Sequence, residues 1–125
     1  MKLLIIEDED LMLKPLVDKF SSEGFEVISA KDGESGLDKA LTEKPDLILL
    51  DIILPKKDGM TMMRELRTSN SWGKNVPVIL LTNLNADDRI MKGVTKDEPA
   101  YYLVKTDWTL DQVVEKVKDR LGMTN

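Results

Sequence analysis

Four short apolar runs of this sequence each end in a residue able to do chemistry. Leu3-Leu4-Ile5-Ile6 leads into Glu7-Asp8-Glu9-Asp10, Leu47-Ile48-Leu49-Leu50 into Asp51, Val78-Ile79-Leu80-Leu81 into Thr82, and Tyr101-Tyr102-Leu103-Val104 into Lys105. Singly, each is weak. An acidic tetrad after an apolar run is most often a solvated turn that caps the next helix, and a lone Thr or Lys means little. Jointly they bring acids, a hydroxyl and an ammonium to one place. Clustered carboxylates repel one another, so the set calls for a cation. Oxygen-only ligands select a hard ion, and two or three carboxylates completed by water suit Mg²⁺. Mg²⁺ beside an acid nucleophile, with an ammonium and a hydroxyl opposite, is an arrangement for a phosphoryl group: the cations neutralise the equatorial oxygens while a carboxylate attacks phosphorus in line. An ionised carboxylate needs no general base.

The elements that must position these residues follow from hydrophobic periodicity. The four runs do not alternate apolar with polar, which suits strands covered on both faces, as in a parallel sheet between helices. A further strand is expected over 25–30, after Gly24. Between the strands the spacing becomes helical. Leu13, Leu16, Val17 and Phe20 share one face of a first helix that contains Pro15 and ends at Gly24; Asp32 and Gly33 open a second that carries Leu37, Ala40 and Leu41 and closes before Pro45. A third over 61–68 groups Met62, Met63 and Leu66, and a fourth, short and poorly patterned, is expected over 87–94. The last begins at Thr109 with Gln112 three residues on, a capping-box spacing, followed by Val113, Val114, Val117 and Leu121. The stretch 69–75, with Trp72 and Gly73, reads as an irregular surface loop. Five alternations of strand and helix predict a doubly wound α/β fold, a five-stranded parallel sheet with helices on both faces. In such sheets function gathers at the carboxyl ends of the strands.

Composition sets bounds on this reading. At 125 residues the chain is expected to form one domain, 1–125. With 18 basic and 23 acidic residues it carries a formal charge of −5, a poor match to nucleic acid or an anionic membrane. The absence of His and Cys excludes disulfides, thiolate chemistry, Ser/His/Asp triads and the usual zinc sites. No apolar run is long enough for a signal peptide or a membrane helix, so the expected location is cytoplasmic.

Over essentially its whole length the sequence resembles the receiver domain of two-component response regulators. The resemblance is carried by Leu4-Ile5-Ile6-Glu7-Asp8-Glu9, Lys31-Asp32-Gly33-Glu34-Ser35-Gly36-Leu37, the stretch 45–55 around Asp51, Asp58-Gly59-Met60, Leu80-Leu81-Thr82 and Tyr102-Leu103-Val104-Lys105. It implies the flavodoxin-like fold and a Mg²⁺-dependent phosphoacceptor. Asp51 would take the phosphoryl group from a phosphohistidine on a sensor kinase or phosphotransfer protein. Asp8 would bind Mg²⁺ directly, Glu7 mostly through water, and Ile53 through its backbone carbonyl. Thr82 would move toward the phosphoryl oxygen, Lys105 would pair with it, and Tyr102 would be the aromatic switch that rotates inward. The implied output is an altered affinity for a downstream protein or effector domain, with homodimerisation through the face of the fourth helix, fifth strand and fifth helix as one form of it.

The chain departs from the family pattern at three places. Thr106 follows Lys105 where the family usually has proline after a cis bond; a cis bond before a non-proline costs about 2.5–4 kcal/mol. Asn83 stands where a small residue usually follows the Thr. Lys96-Asp97-Glu98-Pro99-Ala100 replaces a Gly-Ala-rich lead into the last strand. Ile53 and Leu84 overhang the acceptor in the family pattern, and apolar side chains there cannot orient an attacking water, which predicts slow self-dephosphorylation. Two other readings compete with the phosphorylatable switch. One is a receiver-like docking scaffold that ignores phosphorylation, of which Thr106 and Asn83 would be the signs. The other is a phosphatase or phosphotransferase with an aspartyl-phosphate intermediate, against which the apolar Ile53 counts, because such enzymes place a second acid there. The chain is accordingly not expected to be an enzyme.

Overall fold

The computed structural model describes residues 1–51, 54–82, 101–104 and 109–123. They build five strands, β1 (Lys2–Ile6), β2 (Glu26–Ala30), β3 (Leu47–Asp51), β4 (Val78–Thr82) and β5 (Tyr101–Val104), and five helices, α1 (Asp10–Ser22), α2 (Gly33–Glu43), α3 (Gly59–Ser69), α4 (Ser71–Asn75) and α5 (Leu110–Arg120). The expected helix over 87–94 lies outside the described residues. No described helix is long and apolar enough to cross a membrane.

Every strand pairing is parallel, and the sheet order is β2-β1-β3-β4-β5. The apolar runs give the reason. Leu3, Leu4, Ile5 and Ile6 of β1 and all five residues of β3 are buried, so both faces of the central strands need cover. One face packs Leu4, Ile6, Ile48, Leu50, Val78 and Leu80 against α2 and α3 through Ala40, Met62, Met63 and Leu66. The other packs Leu3, Ile5, Leu47, Leu49 and Ile79 against α1 and α5 through Leu16, Phe20, Val113 and Val117. Phe20 meets Phe25 edge-on at a centroid separation of 5.3 Å, a favoured aromatic geometry.

Helix ends are set by side chains. Asp32 caps α2 by accepting from the Ser35 N–H at 2.7 Å, and Asp58 caps α3 by accepting from the Thr61 N–H at 2.9 Å. The cap starts α3 at Gly59 rather than at Thr61, two residues earlier than the apolar spacing predicts. At α5 the capping box is complete: Thr109 Oγ1 accepts from the Gln112 N–H, and the Gln112 side chain accepts from the Thr109 N–H. Gly24 ends the first helical segment at φ 93°, where a side chain would be strained.

One expectation is corrected. Within the stretch read as an irregular loop, Ser71–Asn75 form the short helix α4, capped by Asn70, whose side chain accepts from the Gly73 N–H at 2.7 Å. Gly73 is there for closeness: a Cβ on it would stand 2.3 Å from the Leu66 carbonyl oxygen. Arg67 fastens the turn by donating to the carbonyls of Gly73 and Val76 at 2.9 and 2.6 Å.

Candidate functional site

The sheet order reverses between β1 and β3: from β1 the chain goes outward to β2, then crosses back to β3 on the other side. Ligands of open α/β sheets bind at such a switch point, beyond the carboxyl ends of the strands. Ile6 is paired with Leu50, so Glu7 and Asp51 emerge next to each other at this point. The Glu7 N–H still donates to the Ala30 carbonyl at 3.0 Å, which extends the sheet by one residue and fixes the strand end. Its carboxylate accepts from the Glu9 N–H at 3.3 Å in the turn into α1.

Glu7 is 1% exposed and Asp51 5%; they are the buried charged residues of the described part of the chain. Asp8, between β1 and α1, is exposed. A carboxylate oxygen from each of Glu7, Asp8 and Asp51 lies within 4.8 Å of the other two. Octahedral Mg²⁺ holds oxygens at about 2.1 Å and so spaces its ligands by about 3–4.2 Å. The trio is close enough to converge on such an ion through side-chain rotation, and its all-oxygen, acidic make-up suits a hard divalent cation. Burial of two adjacent carboxylates is costly without positive charge nearby, which is the physical reason to expect a cation there.

The remaining expected site residues divide by place. Thr82 ends β4, the strand beside β3, in register with Val104, and Tyr102 lies on the next strand, β5, in register with Leu80. Ile53, Asn83, Leu84, Lys105, Thr106 and the segment 96–100 lie outside the described residues, as does the peptide bond between Lys105 and Thr106.

A second loop, joining the stretch 45–55 to Asp58-Gly59-Met60, closes on this edge. Past Asp51 the chain passes buried Leu54, then Pro55, Lys56 and Lys57, before Asp58 starts α3. Gly33, the first residue of α2, donates its N–H to the Pro55 carbonyl at 3.4 Å. Beside it, Lys56 takes a left-handed backbone at φ 66° and brings its ammonium to 3.8 Å from Asp32. The Ser35 N–H, ahead of that ammonium, holds the Asp32 carboxyl below the usual carboxylate range. The Asp-Gly pair before a helix was readable as a cap; its contact with a loop 22 or more positions away had no local signal in the sequence.

Comparison with known proteins gives a consistent result. Residues 3–118 match the family profile of the response regulator receiver domain. The chain is 42% identical over 81 residues to the alkaline phosphatase synthesis transcriptional regulatory protein PhoP of Bacillus subtilis, covering 65% of this chain and 32% of that protein. It is 36% identical over 110 residues to the transcriptional regulatory protein DltR of Streptococcus agalactiae, covering 78% of this chain and 48% of that one. The matched stretches thus span about a third to a half of these relatives. Among solved structures, the receiver domain of the sensor histidine kinase PA1611 from Pseudomonas aeruginosa, which has a magnesium ion coordinated in its active-site cleft, superposes with a TM-score of 0.85 at 26% identity, over 97% of each chain.

Proposed function

Because the chain belongs to the response regulator receiver domain family, we propose that it is one receiver domain, 1–125, whose Asp51 accepts a phosphoryl group in a Mg²⁺-dependent step. The observation that carries this is the convergence of Glu7, Asp8 and Asp51 at the sheet's switch point.

Glu7, Asp8 and Asp51 would hold Mg²⁺, with the Ile53 carbonyl as a further ligand. The bound ion neutralises the anionic oxygens of the incoming phosphoryl group. Asp51 Oδ attacks phosphorus in line; the new bond is O–P, and the bond that breaks joins phosphorus to the donor imidazole nitrogen, which leaves with the bonding electron pair. Burial of Asp51 limits its hydration and shields the resulting acyl phosphate from bulk water. Lys105 would contribute a second positive charge and Thr82 a hydroxyl to the phosphoryl oxygens. The apolar Ile53 and Leu84 leave a hydrolytic water without an orienting group, so the modified state is long-lived.

The output is conformational. Thr82 and Tyr102 sit on neighbouring strands, and their coupled movement would change the surface formed by the segment 87–94, β5 and α5. A phosphoryl group then needs only to favour one of two conformations by a few kcal/mol. The donor is a phosphohistidine on a sensor kinase or phosphotransfer protein. The receiver of the signal is an effector domain or a second protein, in keeping with relatives that are transcriptional regulators and about twice as long. A cytoplasmic location follows from such a donor.

Incubation with acetyl phosphate and Mg²⁺, followed by intact-mass measurement, tests the proposal. One phosphoryl adduct is expected, lost on treatment with hydroxylamine and absent with EDTA. An unmodified chain under these conditions would favour the phosphorylation-insensitive docking scaffold.

A further inference from the structure

We propose that Gly33 is a positioning residue for the Asp51 site: by lacking a side chain, it lets the start of α2 press directly on the loop after Asp51 and fix that loop's path. The inference rests on the reading of Asp51 as a Mg²⁺-dependent phosphoacceptor and adds to it a determinant of how well the site is formed.

The contact is backbone on backbone. A Cβ on Gly33 would stand 1.8 Å from the Lys57 carbonyl oxygen, 2.7 Å from its carbonyl carbon and 2.9 Å from its Cβ. Ordinary contact begins near 3.4 Å, so a methyl group would force a separation of roughly 1.6 Å. The α2 side cannot yield easily, because Asp32 is fixed as its cap and Gly33 is buried. Nor can the loop. Lys57 donates its N–H to the Pro55 carbonyl at 2.7 Å and pairs through its ammonium with Glu65 of α3, and the next residue, Asp58, caps α3.

The displacement therefore falls on the segment between Leu54, buried in the core, and Asp58. That segment begins three residues after Asp51. Misplacement of a reacting group by about 1 Å can cost a hundredfold in rate even when it originates away from the chemistry. Lys56 has the same bearing from the other side: its left-handed backbone shapes the turn that brings Lys57 against Gly33. Such a backbone is uncommon for a residue other than glycine, and β-branched side chains tolerate it worst.

Three variants of the full chain test this, each measured by urea unfolding, by Mg²⁺ titration followed through amide NMR shifts, and by the rate of labelling with acetyl phosphate at saturating Mg²⁺. Gly33→Ala is expected to weaken Mg²⁺ binding about fivefold or more and to slow labelling at least tenfold. Lys56→Val, at an exposed side chain, should move both in the same direction while retaining the fold; it decides the matter should Gly33→Ala not fold. Gly73→Ala is the control. It creates a comparable backbone clash, 2.3 Å from the Leu66 carbonyl, on α4 beyond the far end of α3, and should lower stability with Mg²⁺ affinity and labelling of the folded protein within twofold of the parent. Parent-like Mg²⁺ affinity and labelling in Gly33→Ala and Lys56→Val overturn the positioning role while leaving the phosphoacceptor intact. A parent protein that neither binds Mg²⁺ nor labels overturns both.

Discussion

Glu7 and Asp51 leave neighbouring parallel strands side by side, one residue beyond the register pair Ile6 and Leu50, and both carboxylates are buried where they emerge. Two acids so placed are costly to bury and valuable only if something positive is shared between them. Asp8 adds the exposed third corner. The arrangement makes the folded state a better ligand for a divalent cation than the unfolded chain, in which the three groups are dispersed.

Mg²⁺ should therefore raise stability. At tenfold excess over its dissociation constant the gain is about 1.4 kcal/mol, a rise of several degrees in Tm for a domain of this size. Asp8→Ala and Asp51→Asn should each remove most of the Mg²⁺-dependent part of the rise. Thermal scans in EDTA and in a Mg²⁺ series measure it; equal Mg²⁺ responses in the parent and both variants would contradict the ligand set.

The α1–α5 junction predicts an acid-sensitive component of stability. Glu23 accepts from the Lys118 ammonium at 2.9 Å and lies 3.7 Å from that of Lys19. The Lys118 hydrogen bond, followed by the charge of Lys118, holds the Glu23 carboxyl below its ordinary value of 4.5. A carboxyl depressed on folding stabilises the native state above its unfolded pKa, and that contribution is lost as pH falls through the folded value. Glu23→Gln should flatten the stability profile below about pH 4.5, leaving a smaller difference between pH 7 and pH 3 in urea midpoints than in the parent. An unchanged slope would mean that the pair contributes nothing to acid sensitivity.

Gly36 sets a steric limit next to the site. A methyl group there would meet the Ile6 side chain at 2.6 Å, and overpacking of this kind costs about 1–3 kcal/mol. Urea unfolding of Gly36→Ala should fall in that range. Thr109→Ala, which removes the hydroxyl half of the α5 capping box, should cost about 1 kcal/mol.

Much of this was legible in the sequence because the signals were local or periodic. The unbroken apolar runs at Leu3 and Leu47 read directly as doubly covered strands, and Met62, Met63 and Leu66 read as one buried helix face, which is where they lie. The capping box at Thr109 and Gln112 was likewise a two-residue pattern with one meaning. The convergence of Glu7, Asp8 and Asp51 followed from topology once the strands were placed. What was missed depended on packing between elements, which no local pattern reports. Gly73 looks like a helix breaker, yet it is the residue that lets α4 sit against the Leu66 carbonyl. Gly33 reads as a helix start in sequence, and only the fold shows that Lys57 occupies the space its side chain would fill.

Phosphorylation of Asp51 itself can be read out by borohydride trapping. After incubation with acetyl phosphate and Mg²⁺, reduction converts an aspartyl phosphate to homoserine, which peptide sequencing locates. Homoserine at position 51, absent from the Asp51→Asn protein and from samples treated with EDTA, is the predicted result. Homoserine at another aspartate, or the five-carbon hydroxy amino acid at a glutamate, with Asp51 unmodified, would contradict phosphorylation of Asp51.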